Sequence, residues 1–547
     1  MNLANELAPF NLPPALSAVL LAQEQQLIQL NAEQVQFNAE REQLTEQVQQ
    51  QAAELKYREL KIAALKEQLL YLLRMRYGVK SEALNAAQRD LFEETIASDI
   101  AAVEAAIAAA ACGPQRPKFK PPRQPRTQAG RQPLPAHLTR HEMYHEPLSC
   151  QCGQCGNALV KIGEDISEQL DMEPAHFWVN RHHRPQYACR ACETVTAAPV
   201  EPTLIEGGMA TSAVLAWVMI SKYVDHLPLY RVSEIATRSG VTLAQSTLSS
   251  WVGTIGFNLQ PLADRLKALL LLPGVALHAD ETPVQQLDPG KGKTHRSYLW
   301  ANRSNDLDDQ QRQIVVFDYQ TGRSGAHARH FLGTWQGSLM VDDYSGYKAL
   351  FAQGQVIELG CWAHARRKFK DLYEANQSPI AAGALARIGV LYAVEAEAKD
   401  FTPLQRQALR GKVAQPLLKE FQEWLSRTLL KVPAGSGTAK ALTYSLRRWE
   451  ALTRYAADGL LPIDNNPIEN CFRPIAIGKK NWLFTGSEAA GQRAAAIQTL
   501  LATAKLNGLD PYAWLKDTLE KLPTWPNSRI DELLPLKPIV KDQEPSV

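Results

Sequence analysis

Residues 273–287 read PGVALHADETPVQQL. An apolar, β-rich run that ends on a carboxylate predicts a strand delivering Asp280 at its end. Two more strands follow in RSYLWANRS (296–304) and QIVVFDYQTG (313–322), then a helix-like segment, then GSLMVDDYSGY (337–347). The last repeats the theme: an apolar strand that ends on Asp342 and Asp343. VIELGCWAHARRKFKDLYE (356–374) predicts a strand running into a basic helix that carries Arg366, Arg367 and Lys368. Strands that end in carboxylates suit a metal site, because a sheet fixes the separation of the acids while leaving their oxygens accessible.

The third acid lies far along the chain. PIDNNPIENCFRPIAIGKKNWLFTG (462–486) sets Glu469 behind the amides Asn465 and Asn466 and ahead of Arg473, Lys479 and Lys480. Taken singly, each of the three acids reads as a solvated side chain. Together, Asp280, Asp342 and Glu469 offer carboxylates from two strands and a helix. A pair of Mg²⁺ ions acting on a phosphodiester needs acids from separate elements, with water and phosphate completing each shell. Asp343 competes with Asp342 for the second place, but an offset of one residue turns it to the opposite side of a strand.

Upstream, residues 20–73 are rich in Gln, Glu and Leu, lack Gly and Pro, and carry a heptad with Leu27, Leu55, Ile62 and Leu69 at a and Leu30, Leu44 and Leu65 at d. This predicts a coiled coil and self-association as a dimer or higher oligomer. PQRPKFKPPRQPRTQAGRQP (114–133) has six Lys or Arg, six Pro and no acid, the composition of an extended linker. CQCGQCG and CRAC, with 33 residues between Cys155 and Cys189, supply two CxxC pairs. Cys152, Cys155, Cys189 and Cys192 are the expected ligands of a closed structural Zn²⁺ site, a zinc ribbon whose intervening segment forms a hairpin. Cys150, His182 and His183 are spare candidates. Residues 211–252 predict a helix-turn-helix with Thr242 as a helix N-cap and with Gln245 and Ser246 facing DNA.

The 547 residues exceed one core, and 59 Lys and Arg against 57 Asp and Glu leave a net charge of +2. Any nucleic-acid surface must therefore be local. No run of about 18 apolar residues predicts a membrane span, and the N-terminus lacks a basic region followed by an apolar one. The clustered cysteines fit metal in a reducing compartment better than disulfides.

With RYGVKSEAL (76–84), GEDISEQLD (163–171), SKYVDHLPLYRVSEI (221–235), HADETPV (278–284), VDDYSGYKAL (341–350) and GCWAHARRKF (360–369) added to the 462–486 segment, the chain resembles, nearly end to end, the large subunit of the insertion-sequence-sixty-six family of bacterial transposases. Asn470 and Cys471 depart from residues common in that family. The resemblance implies a ribonuclease-H-like core of the DDE type, with Asp280, Asp342 and Glu469 as catalytic acids holding two Mg²⁺, or Mn²⁺. It also implies strand cleavage and transfer on double-stranded DNA, both element ends and target, and two small accessory proteins of the same element. Arg473, Lys479, Lys480, Arg366, Arg367 and Lys368 are the expected phosphate contacts. A nuclease or resolvase of the same fold, or a non-catalytic DNA-binding regulator, are the alternative functions.

The expected architecture is multidomain α+β in a cytoplasmic, nucleoid-associated protein. It comprises a helical coiled-coil region (1–111), a basic linker (112–140), the zinc ribbon (141–205) and the helix-turn-helix (206–262). A catalytic core follows in two parts (263–375 and 456–500) around a helical insertion (376–455), and a helical tail (501–547) ends the chain.

Overall fold

A computed structural model describes residues 134–146, 160–173, 176–274, 276–288, 293–308 and 313–537, with helical positions between 58 and 69 and at 97 and 99–109. The chain divides into two units, Met1–Tyr71 with Ala106–Lys120, and Leu72–Ala105 with Pro121–Val547. In the first, Arg58, Ile62, Leu65 and Leu69 are half-buried, while Glu59, Lys61, Ala63, Lys66 and Gln68 are exposed. The rest of the predicted heptad, the linker 114–133 and the first knuckle with Cys152 and Cys155 lie outside the described residues.

The second unit contains two mixed sheets. In the smaller one, β2 (Val160–Glu173) and β3 (His176–Ala188) form the predicted hairpin, β1 (Arg140–Tyr144) pairs parallel with β3, and β4 (Val195–Ala197) pairs with the far end of β3. The CRAC turn joins β3 to β4. Glu193 takes a φ of 57° there, its N–H donating to Cys189 O at 2.8 Å, and this folds the chain into a knuckle. Cys189 is buried and Cys192 half-buried.

Three helices follow, α1 (Ser212–Tyr223), α2 (Leu229–Arg238) and α3 (Gln245–Leu270). Two expectations fail here. Ala244, not Thr242, is the N-cap of α3, and no side chain caps it. Moreover, α3 continues for 26 residues, burying Leu259, Leu262 and Leu266, so the boundary expected at 262/263 falls inside a helix that leads directly into the main sheet. The boundary at 500/501 likewise falls within α12 (Glu488–Leu506). In both places one continuous helix serves two layers, and composition does not change where the layers meet.

The main sheet comprises β5 (Ala276–Asp288), β6 (Lys293–Ser304), β7 (Val315–Gln320), β8 (Gly337–Val341) and β9 (Val356–Gly360), in the order β7-β6-β5-β8-β9. β5, β6 and β7 are antiparallel neighbours, and β5, β8 and β9 are parallel. A short helix, α4 (Gly325–Leu332), connects β7 to β8. β5 does not end at Asp280 but runs eight residues beyond it. Only Ala276–His278 pair with β8. Beyond them β5 has no strand partner on that side until Thr485, whose backbone bonds to Gln285 O and Leu287 N, and Pro283 falls in that gap, where it breaks no ladder.

Side chains alternate across this sheet. Leu277, Ala279, Leu339 and Val341 face the core built on α1 and α3. Ala276, Met340 and Leu359 face the opposite way, into a second core formed by α5 (Trp362–Asn376) and the helical insertion. The insertion contains α6 (Pro379–Glu397), α7 (Pro403–Leu409), α8 (Gln415–Leu429), α9 (Gly437–Arg447) and α10 (Trp449–Thr453). Trp362 is its keystone: fully buried, stacked on Phe421 at 6.0 Å and edge-on to Trp449 at 5.8 Å, its indole N–H donates to Leu452 O at 2.7 Å. Among the described residues one helix, α6, is long and apolar enough to cross a bilayer. Its Ala381, Ala384, Ile388 and Leu391 are packed into this second core.

α11 (Asn466–Trp482) and α12 cover the rest of that face of the sheet, with Ile468, Phe472 and Ile475 against Val284, Leu299, Ala301 and Phe317. At the head of α12, Arg493 forms a buried ion pair with Asp99, to which Ser487 Oγ donates at 2.5 Å. α13 (Pro511–Lys521) returns the chain to α1, burying Leu515 and Leu519 in the first core.

Candidate active site

Even-numbered residues of β5 and β8 share the face covered by α11 and the insertion. The parallel register pairs His278 with Met340. Continued by two residues, it sets Asp342 beside Asp280 on chains about 4.8 Å apart. Asp342 sits just past the end of β8, where its Oδ1 accepts from Tyr344 N at 2.8 Å.

Glu469 reaches the same place because α11 is fastened to β5 one residue before Asp280. Asn465, completely buried at the N-cap of α11, donates from Nδ2 to Ala279 O at 2.9 Å and meets His278 Nδ1 through its Oδ1, also at 2.9 Å. Burial pushes the His278 pKa down to about 4. The ring is neutral, so its Nδ1–H is the donor to Asn465. Asp464 accepts from Asn466 N at 3.0 Å and from Tyr392 Oη at 2.7 Å, which ties the start of α11 to the insertion. Lower down, Lys479 donates to Thr282 Oγ1 at 3.0 Å and Pro283 O at 2.9 Å. Lys479, expected as a phosphate contact, thus binds α11 to β5 and has little left for DNA. Replacing Asn465 with Ala leaves an N–H and a carbonyl buried without partners. The expected cost is roughly 2–4 kcal/mol of stability, measurable by urea denaturation, together with a loss of activity as Glu469 drifts.

The three acids sense one another. Burial, first, and then the charges of Glu281, Asp342 and Glu469 push the Asp280 carboxyl up to about 7. Glu281 lies on the other face of β5 and is neutralised there, with Arg323 Nε donating at 2.7 Å and Tyr347 Oη at 3.2 Å. Asp343 is also accounted for: Arg448 at 3.0 Å, Lys348 at 3.4 Å and Arg447 surround it. Glu469 Oε1 is cut off from solvent and accepts no hydrogen bond. His364 Nδ1 lies 3.7 Å from it, and Arg367 Nη2 lies 3.5 Å from Oε2.

Among the described residues no three His, Cys, Asp or Glu side chains already form a cage for one ion. Mg²⁺ does not require one, since it takes one or two carboxylates and completes its shell with water and phosphate oxygens. A carboxyl raised by neighbouring carboxyls, next to a buried orphan oxygen, is an arrangement that a hard cation would relieve. The residues fit such an ion.

The remaining expected contacts are spread out. Arg366, Arg367, Lys368, Arg473 and Lys480 are exposed on α5 and α11. Gln245 and Ser246 open α3, a helix about 39 Å long, at the end away from β5. His364 and His278 were not among the expected site residues, whereas Asn465 and Asn466, the amides ahead of Glu469, read as residues that could orient it or DNA. The GCWAHARRKF segment placed His364 at a strand-to-helix junction, the one signal that pointed to it.

Residues 207–493 match the family model whose description is Transposase IS66 family. The chain belongs to the IS66 transposase family. Residues 149–193 match the zinc-finger binding domain of transposase IS66, and 499–536 the IS66 C-terminal element. Residues 64–143 match a model described as Transposase C of IS166 homeodomain, a helical N-terminal domain. Among curated relatives, the uncharacterized protein y4qI of Sinorhizobium fredii (strain NBRC 101917 / NGR234) is 37% identical over 492 residues, covering 87% of this chain and 89% of the relative. Its paralogue y4jD is 36% identical over 71% of this chain and 78% of its own length, and y4hP is 31% identical over 74% and 76%. As an IS66-family transposase, the chain has DNA as its partner and zinc in the segment that carries the CxxC pairs.

Proposed function

We propose that this IS66-family chain is a DDE-type polynucleotidyl transferase that cleaves the ends of an insertion sequence and joins them to target DNA. Its core is read as ribonuclease-H-like, with Asp280, Asp342 and Glu469 as the catalytic acids. The observation that carries the reading is the convergence of three elements. β5 carries Asp280 two residues beyond its last pair with β8, Asp342 follows β8 directly, and Asn465 ties the helix of Glu469 to β5, which supports a shared site for the three acids. The strand order, with β5 central, two antiparallel strands on one side and two parallel strands on the other, supports the fold assignment.

Two bound Mg²⁺, or Mn²⁺, would supply activation of the attacking oxygen and stabilisation of the leaving oxygen of the phosphodiester. The chain's own residues do the rest. Asp280, Asp342 and Glu469 are held close together by the sheet and by Asn465. Asp280, with its raised affinity for a proton, is ready to exchange that proton for a cation. His364, whose pKa burial lowers, sits against Glu469 as a neutral ring and limits its movement. Arg366, Arg367, Lys368, Arg473 and Lys480 line the approach from α5 and α11 as phosphate contacts. The first turn of α3 bears exposed Ser246, which is read as a further phosphate contact. The 20–73 heptad is read as the dimerising coiled coil, and small accessory proteins of the same element as further partners.

Purified protein, Mg²⁺ and duplexes that carry the element ends test this. The expected outcome is a joined product in which an element end is covalently linked to target DNA. Cleavage without joining would replace the reading with that of a nuclease.

A further inference from the structure

Beside the candidate active site, the helical insertion and α5 enclose a groove of about 490 Å³ whose charged lining residues are Lys368, Lys440 and Arg447, with no acid among them. Its floor is fixed by packing. A Cβ on Gly437, in the first turn of α9, would stand 3.5 Å from Leu372 of α5, so the two helices touch there. Lys440 and Arg447 lie seven residues apart on one face of α9, two turns or roughly 10 Å. Tyr444 stands between them, with the Lys368 ammonium 5.6 Å from its ring centre. Lys440 and Lys368 are exposed and have neither a hydrogen-bond nor an ion-pair partner among the described residues.

One end of this groove leads to the acids, and its middle lies beside them. Lys368 follows Arg367, which contacts Glu469, and Arg447 contacts Asp343, the neighbour of Asp342. Three cations in a groove that opens from the carboxylates at Arg447 suit a polyanion whose reacting phosphate lies at the acids and whose next phosphates lie in the groove. Roughly 10 Å corresponds to about three nucleotide steps of one strand. Tyr444 is half-buried between two cations and adds a flat surface for a sugar or base.

We infer that the insertion is a DNA-binding element: α9 and α5 form a track for the phosphate backbone of the strand flanking the scissile bond. This rests on the transposase reading and adds the insertion to its DNA interface. The contacts are to phosphate, so they are independent of sequence and salt-sensitive.

Fluorescence anisotropy of the full-length protein with a duplex of about 40 base pairs, across a range of KCl concentrations, tests it. Lys368→Glu with Lys440→Glu is compared with Lys399→Glu with Lys412→Glu, which makes the same charge change at exposed insertion residues outside the groove. The groove pair is expected to weaken binding about tenfold or more and to reduce the salt slope by about 1 to 2, since each phosphate contact contributes about 0.9. The control pair is expected to stay within about twofold of wild type. Groove and control variants that bind alike overturn the inference while leaving the transposase reading intact. Wild-type protein that shows no salt-dependent binding to duplex DNA overturns both.

Discussion

Asp280→Asn is expected to abolish DNA joining and, at the same time, to stabilise the metal-free protein. Loss of one of the three carboxylates proposed to hold the metal should reduce cleavage and joining by at least about 10³-fold, roughly 4 kcal/mol in the barrier. The stability effect follows from the raised pKa. Asp280 titrates near 7 when folded, against 3.8 for the unperturbed group. The ionised carboxylate is therefore destabilising in the fold. That penalty is absent below about pH 4, grows as the pH rises towards 7, and is complete above it. About three pH units correspond to ~4 kcal/mol as an upper figure, so a neutral amide should recover about 2–4 kcal/mol at pH 8 and almost nothing at pH 4. Thermal unfolding at the two pH values, without divalent ions, measures it. A variant that loses joining and also loses stability at pH 8 would point to structural damage. Asp342→Asn and Glu469→Gln should lose activity to a similar degree. Asp343→Asn should mainly unsettle Arg447 and Arg448, its partners.

Arg410→Met is expected to cost about 3–5 kcal/mol, although the residue is remote from the chemistry. Arg410 lies in a π-helical segment, Arg410–Ala414, and is completely buried. Its Nε and Nη2 grip the Glu395 carboxylate at 2.9 and 2.6 Å, and its Nη1 donates to the carbonyls of Tyr455, Asp458 and Leu461. Methionine fills the volume but leaves Glu395 charged and half of the arrangement without partners, which is where breaking a buried pair becomes expensive. The carbonyls belong to the stretch that re-enters the core just ahead of Asp464 and Asn465. Urea denaturation should therefore show a lower midpoint, and proteolysis should become faster around 454–461. An unchanged midpoint would mean that Arg410 does not hold the insertion closed.

Much of the core was legible because its strands are apolar runs with turn residues between them, and because the acids stand next to such runs. QIVVFDYQTG and GSLMVDDYSGY each contain the strand they suggested, and RSYLWANRS lies wholly within its strand, which starts three residues earlier at Lys293. Where a sequence signal was ambiguous, the reading stopped short. Pro283 implies that a strand ends, yet β5 continues through it because Pro283 falls in the gap between β8 and Thr485, its successive neighbours on that side. Thr242 has the chemistry of a cap, but the chain stays extended until Ala244, and the fold, not the cap, starts α3. The long-range links were not legible at all. Asn465 reaches a strand 186 residues earlier, and Arg410 meets carbonyls about 45 to 51 residues ahead. No local spacing encodes such pairings: Asn465 reads as a residue that could orient Glu469 but not as one seated on β5, and Arg410 stands in a helical stretch with no obvious chemistry until the fold brings its partners to it. Lys479 is the converse case: its position after Glu469 reads as a DNA contact, and the fold uses it to fasten α11 to β5.

The most direct test of the central claim is where a divalent ion binds. Crystals of the protein with DNA and Mn²⁺ permit the metal to be located by its anomalous scattering. The account predicts Mn²⁺ between the carboxylates of Asp280 and Asp342, with Glu469 in the shell of the same or a neighbouring ion and Asp343 still paired with Arg447 and Arg448. Manganese bound through Asp343, or away from these three acids while DNA is present, would contradict it.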